Sequence, residues 1–180
     1  MGRNTGHPSY PKYKNPPRTV VYDKSANLYQ PLPAPTDRRG RVVVVEGTLD
    51  ALAIAVAAIR VGRATAFCPV TQSGRELSDV QVRRIIAINA GGLVLGFDGD
   101  DAGRDSAARY SRVFARAGKT VSVTSLSHGH DPASWLAEEG DKGLSAWSGL
   151  GGRPNRTIRS VESAMSRTTE ETVPAISAAL

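Results

Sequence analysis

The feature that most constrains this sequence is a regular alternation of β-branched runs and helical segments between residues 41 and 139. RVVVVEG (41–47) is typical of a strand covered on both faces, and TLDALAIAVAAIRVG (48–62) of a helix stopped by glycine. The alternation continues with strands predicted at 64–70, 92–98 and 120–126 and helices at 77–90, 102–118 and 132–139. Because parallel strands need crossover connections, the sequence predicts an α/β fold in which helices cover a parallel four-stranded sheet.

Composition divides the chain into three regions. Residues 1–40 are rich in Pro, Tyr and basic groups and carry a net charge of +5 out of +6 for the whole chain. A basic arm on a nearly neutral body fits either attraction to a polyanion such as nucleic acid or a solvated tail. We expect an arm and linker at 1–40, one domain at 41–150, and a flexible tail at 151–180 that is rich in Gly, Arg, Ser and Thr.

Some classes of protein are excluded by the residue content. A single Cys, Cys68, cannot form a disulfide framework or a thiolate zinc cluster within the chain. No apolar run approaches the roughly 18 residues of a membrane span, and the N-terminus has no apolar core of a signal peptide. We therefore expect a cytoplasmic protein that does not bind a membrane.

Carboxylates follow the predicted strands at the points where they end. Glu46 closes the first strand and Asp98 the third; Asp50, Asp100 and Asp131 lie in the segments that follow strands. In open parallel sheets the functional crevice lies beyond these carboxyl ends. If the first and third strands are neighbours, Glu46, Asp98 and Asp100 converge, and their repulsion favours a bound cation. Oxygen ligands alone suit Mg²⁺ or Mn²⁺.

A simpler interpretation is that acids after strands only cap helices or complement helix dipoles. We prefer it for Asp101 and Asp105, and for Asp50 the two interpretations are about equal. Coincidence at two strand ends is a weaker explanation for Glu46, Asp98 and Asp100.

His128 and His130 flank Asp131, but we expect loop positions there rather than metal ligands.

The segments VVVEGTLDALA and LGFDGDDAGRDSA resemble the Toprim signature, E-G-x-x-D followed by D-G-D-x-A-G, which DnaG-type primases, topoisomerases and certain nucleases share. Three features resemble the primase branch: the Arg after the D-G-D-x-A-G glycine, the segment HDPASWLAEEG, and the stretch PKYKNPPRTVVYDKSANLYQ before the domain. The resemblance covers roughly residues 11–150 and implies a Toprim-like (Rossmann-like) fold.

By position, the resemblance implies a central acidic cluster of Glu46, Asp98 and Asp100, with Asp50 and Asp131 as further metal-site acids. It implies a basic ridge facing template or nucleotide. The residues of that ridge are Lys12, Tyr13, Lys14, Asn15 and Lys24. Arg104 could contact a phosphate, and a solvated surface position is equally compatible with the sequence.

The sequence also departs from the primase pattern. Ala133 stands where primases commonly have a second acid, so the metal site has one carboxylate fewer. The link between Tyr29 and Arg41 is short and Pro-rich where primases usually have a helix. The zinc ribbon, most of the N-terminal half of the polymerase core and the helicase-binding domain are missing. The chain thus resembles a stripped primase core of the plasmid or phage kind.

We therefore expect a primase-like module that transfers nucleotides from nucleoside triphosphates on a single-stranded DNA template, with Mg²⁺ or Mn²⁺. A zinc-domain, helicase or relaxase partner could supply the missing functions. Two alternatives stay open. One is a Toprim nuclease in which Glu46 is the general base. The other is a non-catalytic nucleic-acid-binding subunit of a replication or mobilisation assembly.

Overall fold

A computed structural model describes residues 2–3, 13–14, 17–36, 39–72, 76–88, 91–124 and 126–148, with only the backbone at 2–3 and 13–14. The strands are β1 (Gly2–Arg3), β2 (Tyr13–Lys14), β3 (Leu28–Tyr29), β4 (Arg41–Val45), β5 (Phe67–Gln72), β6 (Gly92–Leu95) and β7 (Val121–Val123). The helices are α1 (Thr48–Arg60), α2 (Asp79–Ala87), α3 (Asp101–Arg116) and α4 (Pro132–Glu139). Two 3₁₀ helices, η1 (Ala64–Ala66) and η2 (Gly140–Trp147), complete these elements.

The central sheet has five strands in the order β3-β5-β4-β6-β7. Strands β5, β4, β6 and β7 are parallel, as predicted, and β4 lies between β5 and β6. The predicted α/β fold is confirmed, with one strand more than expected: β3 pairs antiparallel with β5 at the edge. Strand β5 begins at Phe67 rather than at residue 64, because residues 64–66 form η1.

Successive residues of a strand point to opposite faces of the sheet, so alternate residues of β4 contribute to two apolar layers, one on each face. Val43, Val45 and Phe67 belong to the layer beneath α1, α4 and η2, which also includes Trp147. The even-numbered residues of β4 and the side chains of Tyr110 and Phe114 build the opposite layer, under α2 and α3. Both faces of β4 are therefore buried, which accounts for its continuous run of valines.

Residues 24–32, within the predicted arm and linker, pack closely against the domain. Gln81 of α2 is buried and donates through Nε2 to the carbonyls of Lys24 and Asn27, at 3.0 and 2.7 Å. Leu32, within the predicted linker, is 7% exposed and joins the layer beneath α1. The predicted division of the chain at residue 40 stays a prediction, and the predicted flexible tail (151–180) lies outside the described residues.

Within the part of the chain that the structure describes, no helix combines the length and the apolarity that crossing a membrane would require.

Candidate acidic site at the carboxyl edge of the sheet

Two half-buried carboxylates meet where the neighbouring strands β4 and β6 end. Glu46 directly follows β4, and Asp98 lies three residues after β6, whose register places Leu95 opposite Val44. The backbone amide of Asp98 donates a hydrogen bond to the Glu46 carboxylate. The two strands are therefore neighbours, which is the condition under which these acids were expected to converge.

Asp98 lies in an unfavourable environment for a negative charge. Burial, which has the largest effect, and the charges of Glu46, Asp50, Asp131 and Asp100 together raise the pKa of Asp98 from 3.8 to about 7. Each of the other four predicted acids therefore lies close enough to Asp98 to interact with it electrostatically. A carboxyl group with this pKa is only partly ionised at neutral pH.

Glu46 shares this environment. Burial raises the pKa of Glu46, as do the charges of Asp100 and Asp50, while the hydrogen bond from the Asp98 amide acts in the opposite direction. Glu46 Oε1 and Asp98 Oδ1 are both buried without a hydrogen-bond partner. Buried polar atoms are rarely left unsatisfied, so these two oxygens favour a ligand such as a cation or a proton donor.

Asp50 links the first helix to the last one. It is 6% exposed in the first turn of α1, and its Oδ1 accepts a hydrogen bond from the backbone amide of Ala133 at 3.2 Å. A side chain at Gly47 would overlap Asp50 Oδ2, so the Asp50 carboxylate would have to shift to make room for it. Asp50 therefore combines a structural contact between α1 and α4 with an electrostatic effect on Asp98.

Asp100 and Asp131 are helix caps. Asp100 Oδ1 accepts from the amide of Gly103 at 2.8 Å at the start of α3. Asp131 Oδ1 accepts from the amide of Ser134 at 2.7 Å at the start of α4, completing a reciprocal capping box. These caps are the simpler role that acids after strands can have. They place both carboxylates beside Asp98 without directing both oxygens at it.

Two glycines of the D-G-D-x-A-G segment allow the backbone around Asp98 to pack tightly. A side chain at Gly99 would overlap the carbonyl of Ser127, and one at Gly103 would overlap the carbonyl of Asp98 itself. The Gly99 amide also donates to the carbonyl of His130 at 2.9 Å. The space beside Gly103 is thus filled by the protein backbone.

The structure describes only part of the predicted basic ridge. Lys24 is exposed, and Arg104 donates to the carbonyl of Gly99 at 3.1 Å and pairs with Asp101. Lys12 and Asn15 lie outside the described residues, and only the backbone strand is described for Tyr13 and Lys14. The basic ridge stays a prediction.

Three further polar residues lie at the same edge: His130, for which a loop position was expected, and Thr71 and Gln72, which the sequence pattern did not indicate. Thr71 donates through Oγ1 to the Glu46 carbonyl at 2.7 Å, which fixes the backbone beside that acid. Gln72 Oε1 and His130 Nδ1 are buried without hydrogen-bond partners. Thr71 and Gln72 were missed because the predicted strand ended at residue 70, whereas β5 continues to Gln72.

The donor set suits a hard cation, but the side chains are not gathered into a chelating group. Among the residues described here, no three His, Cys, Asp or Glu side chains converge closely enough to hold a metal ion. The two unsatisfied oxygens of Glu46 and Asp98 and the repulsion at Asp98 nevertheless fit Mg²⁺ or Mn²⁺. Whether these acids bind metal stays a prediction.

Comparison with known proteins shows several similarities. Residues 43–136 match a protein family described as Toprim-like. The chain is 33% identical over 141 residues to a DNA primase of Pseudomonas aeruginosa, covering 76% of this chain and 20% of the relative. It is 31% identical over 150 residues to a DNA primase of Geobacillus stearothermophilus, covering 82% of this chain and 24% of the relative. The chain thus spans less than a quarter of the length of these relatives.

Solved structures are similar as well. The Aquifex aeolicus primase, solved with its zinc-binding and RNA polymerase domains, superposes with a TM-score of 0.64 at 25% identity, covering 81% of this chain and 35% of that one. The RNA polymerase domain of Mycobacterium tuberculosis primase gives a TM-score of 0.56 at 26% identity, covering 77% of this chain and 44% of that one. That structure is a complex with a double-stranded DNA oligomer bearing a 6-nucleotide overhang.

Proposed function

This chain belongs to the Toprim-like family, in the form found in bacterial primases, and we propose that it is a primase-type catalytic module that transfers nucleotides on a single-stranded DNA template. The family match at residues 43–136 includes Glu46, Asp50, Asp98, Asp100 and Asp131. A relation to DNA primases follows from the identities given above. The reaction, the template and the metal requirement are our proposal.

The observation that carries this proposal is the state of Asp98. Asp98 is a half-buried carboxyl whose pKa is raised to about 7 by burial and by four neighbouring carboxylates. Its ionisation lowers the free energy of unfolding at neutral pH, a cost that a purely structural residue would not impose. Functional sites commonly contain such perturbed groups because charge placed there serves chemistry rather than stability. A protein that only bound polyanions would gain nothing from clustered negative charge.

Glu46 and Asp98 would hold the ion through the oxygens that have no partner, with Asp100, Asp50 and Asp131 contributing charge or further ligands. Bound Mg²⁺ or Mn²⁺ would neutralise the charge that develops on the phosphates during transfer. Because Asp100 and Asp131 also cap helices, their side chains would have to turn to reach an ion, or reach it through water. Thr71 keeps the Glu46 backbone in position.

We assign the predicted basic residues to binding of the template and the nucleotide substrate. Lys12, Lys14 and Lys24 would hold template or triphosphate, Asn15 would lie within the same ridge, and Tyr13 could stack on a base. Arg104 lies beside Gly99, at the start of α3, where a phosphate contact would require it to exchange its pairing with Asp101.

The chain spans only a part of the primases it resembles, so a zinc-domain, helicase or relaxase partner is proposed to supply functions found elsewhere in those relatives. We place the reaction in the cytoplasm.

The test is incorporation of labelled ribonucleotides on single-stranded DNA with Mg²⁺ or Mn²⁺. The proposal predicts short products from the unmodified chain, loss of products in Asp98→Asn, and normal activity in Asp105→Asn, an exposed acid of α3. Full activity of Asp98→Asn would contradict the assigned site. Progressive shortening of an end-labelled strand, without templated extension, would support the nuclease alternative instead.

A further inference from the structure

A basic surface lies at the edge of the sheet opposite the acidic site. Strands β4, β6 and β7 run parallel and begin at this edge, where helices α2 and α3 end. One strand start, two helix ends and one link supply its cations, which we call the amino-edge patch: Arg41, Arg84, Arg116 and Lys119. Because strand residues advance by about 3.3 Å each, Arg41 and Glu46 are about 17 Å apart along β4. The patch is therefore separate from the acidic site.

Negative charge is missing from the sequence around the amino-edge patch. Residues 80–97 and 106–130 contain no Asp or Glu, although they hold six Arg and Lys residues. Within the described residues, no carboxylate forms an ion pair with a member of the patch. By contrast, Arg109 and Lys142 elsewhere on the surface pair with Glu76 and Glu139, at 2.8 and 3.3 Å. The cations of the patch are thus available to an anion from outside the chain.

Helix dipoles account for only part of this arrangement. Arg84 and Arg116 stand in the last turns of α2 and α3, where a cation complements the partial negative charge of the helix end. Arg41 begins a strand and Lys119 lies in the link between α3 and β7, so neither of them stands in the last turn of a helix. Cations gathered without neutralising acids repel one another, and an anionic ligand would relieve that repulsion.

A cavity of about 230 Å³ opens at this edge, between the end of α2 and the start of β7. Its walls include Ile88, Gly92, Lys119 and Thr120. Arg41 lies beside Gly92, since its Nη1 is 3.5 Å from the point that a Cβ at Gly92 would occupy. Small-molecule sites usually measure about 300–1,000 Å³, so the cavity is small for a whole nucleotide and better suited to a single phosphate group. The patch therefore fits contact along a chain of phosphates better than capture of a free nucleotide.

We propose that the amino-edge patch binds the phosphate backbone of a single-stranded nucleic acid. A linear polyanion can contact cations spread along an edge at the same time, and each phosphate that is neutralised releases condensed counterions. A flexible single strand can place one phosphate in the cavity and its neighbours on the rim more readily than a stiff duplex can. This contact goes beyond the proposed function, because it requires neither a metal ion nor nucleotide transfer at the acidic site.

The salt dependence of oligonucleotide binding tests the proposal. Anisotropy of a labelled single-stranded oligonucleotide is titrated with the full-length chain at several salt concentrations, with EDTA present. Arg84→Gln combined with Lys119→Gln should make the slope of log affinity against log salt less steep by about 1.4, since each phosphate contact on a single strand contributes about 0.7. The affinity at low salt should fall by about tenfold or more. Arg109→Gln combined with Lys142→Gln removes the same charge from cations already paired with carboxylates, and should change the affinity by less than about twofold.

Two further measurements separate charge from packing and a nucleic-acid strand from free phosphate. Arg84→Lys combined with Lys119→Arg keeps the charge and should bind like the unmodified chain, and millimolar inorganic phosphate at constant ionic strength should not displace the oligonucleotide. Equal losses in the two Gln double variants, or no binding by the unmodified chain, would overturn the proposal. So would a charge-conserving variant that binds as weakly as the Gln variant of the patch, or displacement of the oligonucleotide by phosphate, which would assign the cavity to free phosphate compounds.

Discussion

Replacing Asp98 by Asn should stabilise the metal-free protein at high pH. Burial and four neighbouring carboxylates raise the pKa of Asp98 from 3.8 to about 7 in the folded chain. Between these pH values the folded chain binds a proton that the unfolded chain has released. The free energy of unfolding must therefore fall as the pH rises through this interval, and the loss is complete above pH 7.

The size of the effect follows from the pKa difference. A shift of roughly three pH units corresponds to at most about 4 kcal/mol. Asp98 is partly accessible to solvent, and screening reduces the expected value to about 1–2 kcal/mol. Asn has nearly the shape of Asp and carries no charge, so the substitution should remove the pH-dependent penalty without creating a cavity.

The assay is urea unfolding with EDTA present at pH 5 to 9. Asp98→Asn should exceed the unmodified chain in the free energy of unfolding by about 1–2 kcal/mol at pH 8, and by much less at pH 5. Asp105→Asn, on the exposed side of α3, should change it by less than about 0.5 kcal/mol. If Asp98→Asn were destabilising at pH 8, or its effect did not depend on pH, the electrostatic argument would fail.

Two further substitutions test the packing around the site. Gly103→Ala should destabilise the protein by roughly 2–3 kcal/mol in urea unfolding, although Ala normally favours a helix, because the added methyl overlaps the Asp98 carbonyl; equal or greater stability would show that the backbone can move apart. Ser78→Ala should cost about 1 kcal/mol in the same assay, since Ser78 caps α2 and donates to the carbonyl of Ser25. A loss no larger than that of Ser145→Ala, an exposed position in η2, would contradict the second prediction.

Much of the sheet could be predicted from the sequence because its strands and helices have strong local patterns. The valine run of β4 and the alanine-rich α1 are each typical of only one kind of element. Strand β3 has no such pattern: Leu28–Tyr29 is only two residues long and owes its conformation to backbone pairing with β5. An edge strand of this kind depends on its neighbour, so local residue preferences cannot identify it.

The candidate site, too, could be predicted only in part from local sequence patterns. The positions of Glu46 and Asp98 at strand ends could be predicted from the sequence, but their adjacency follows from the strand order, which the local pattern leaves open. The capping role of Asp100 and Asp131 depends on how one helix start approaches another loop, and Arg104 is held by the carbonyl of Gly99. Such contacts are made by tertiary packing, and the short-range sequence pattern does not determine them.

The central claim is that Glu46 and Asp98 bind a divalent cation. Its most direct test is Mn²⁺ binding to the full-length chain at pH 8, followed by electron paramagnetic resonance of the free ion. The account predicts binding by the unmodified chain and by Asp105→Asn, and at least a tenfold weaker affinity in Asp98→Asn. Equal affinity in Asp98→Asn, or no binding by the unmodified chain, would contradict it.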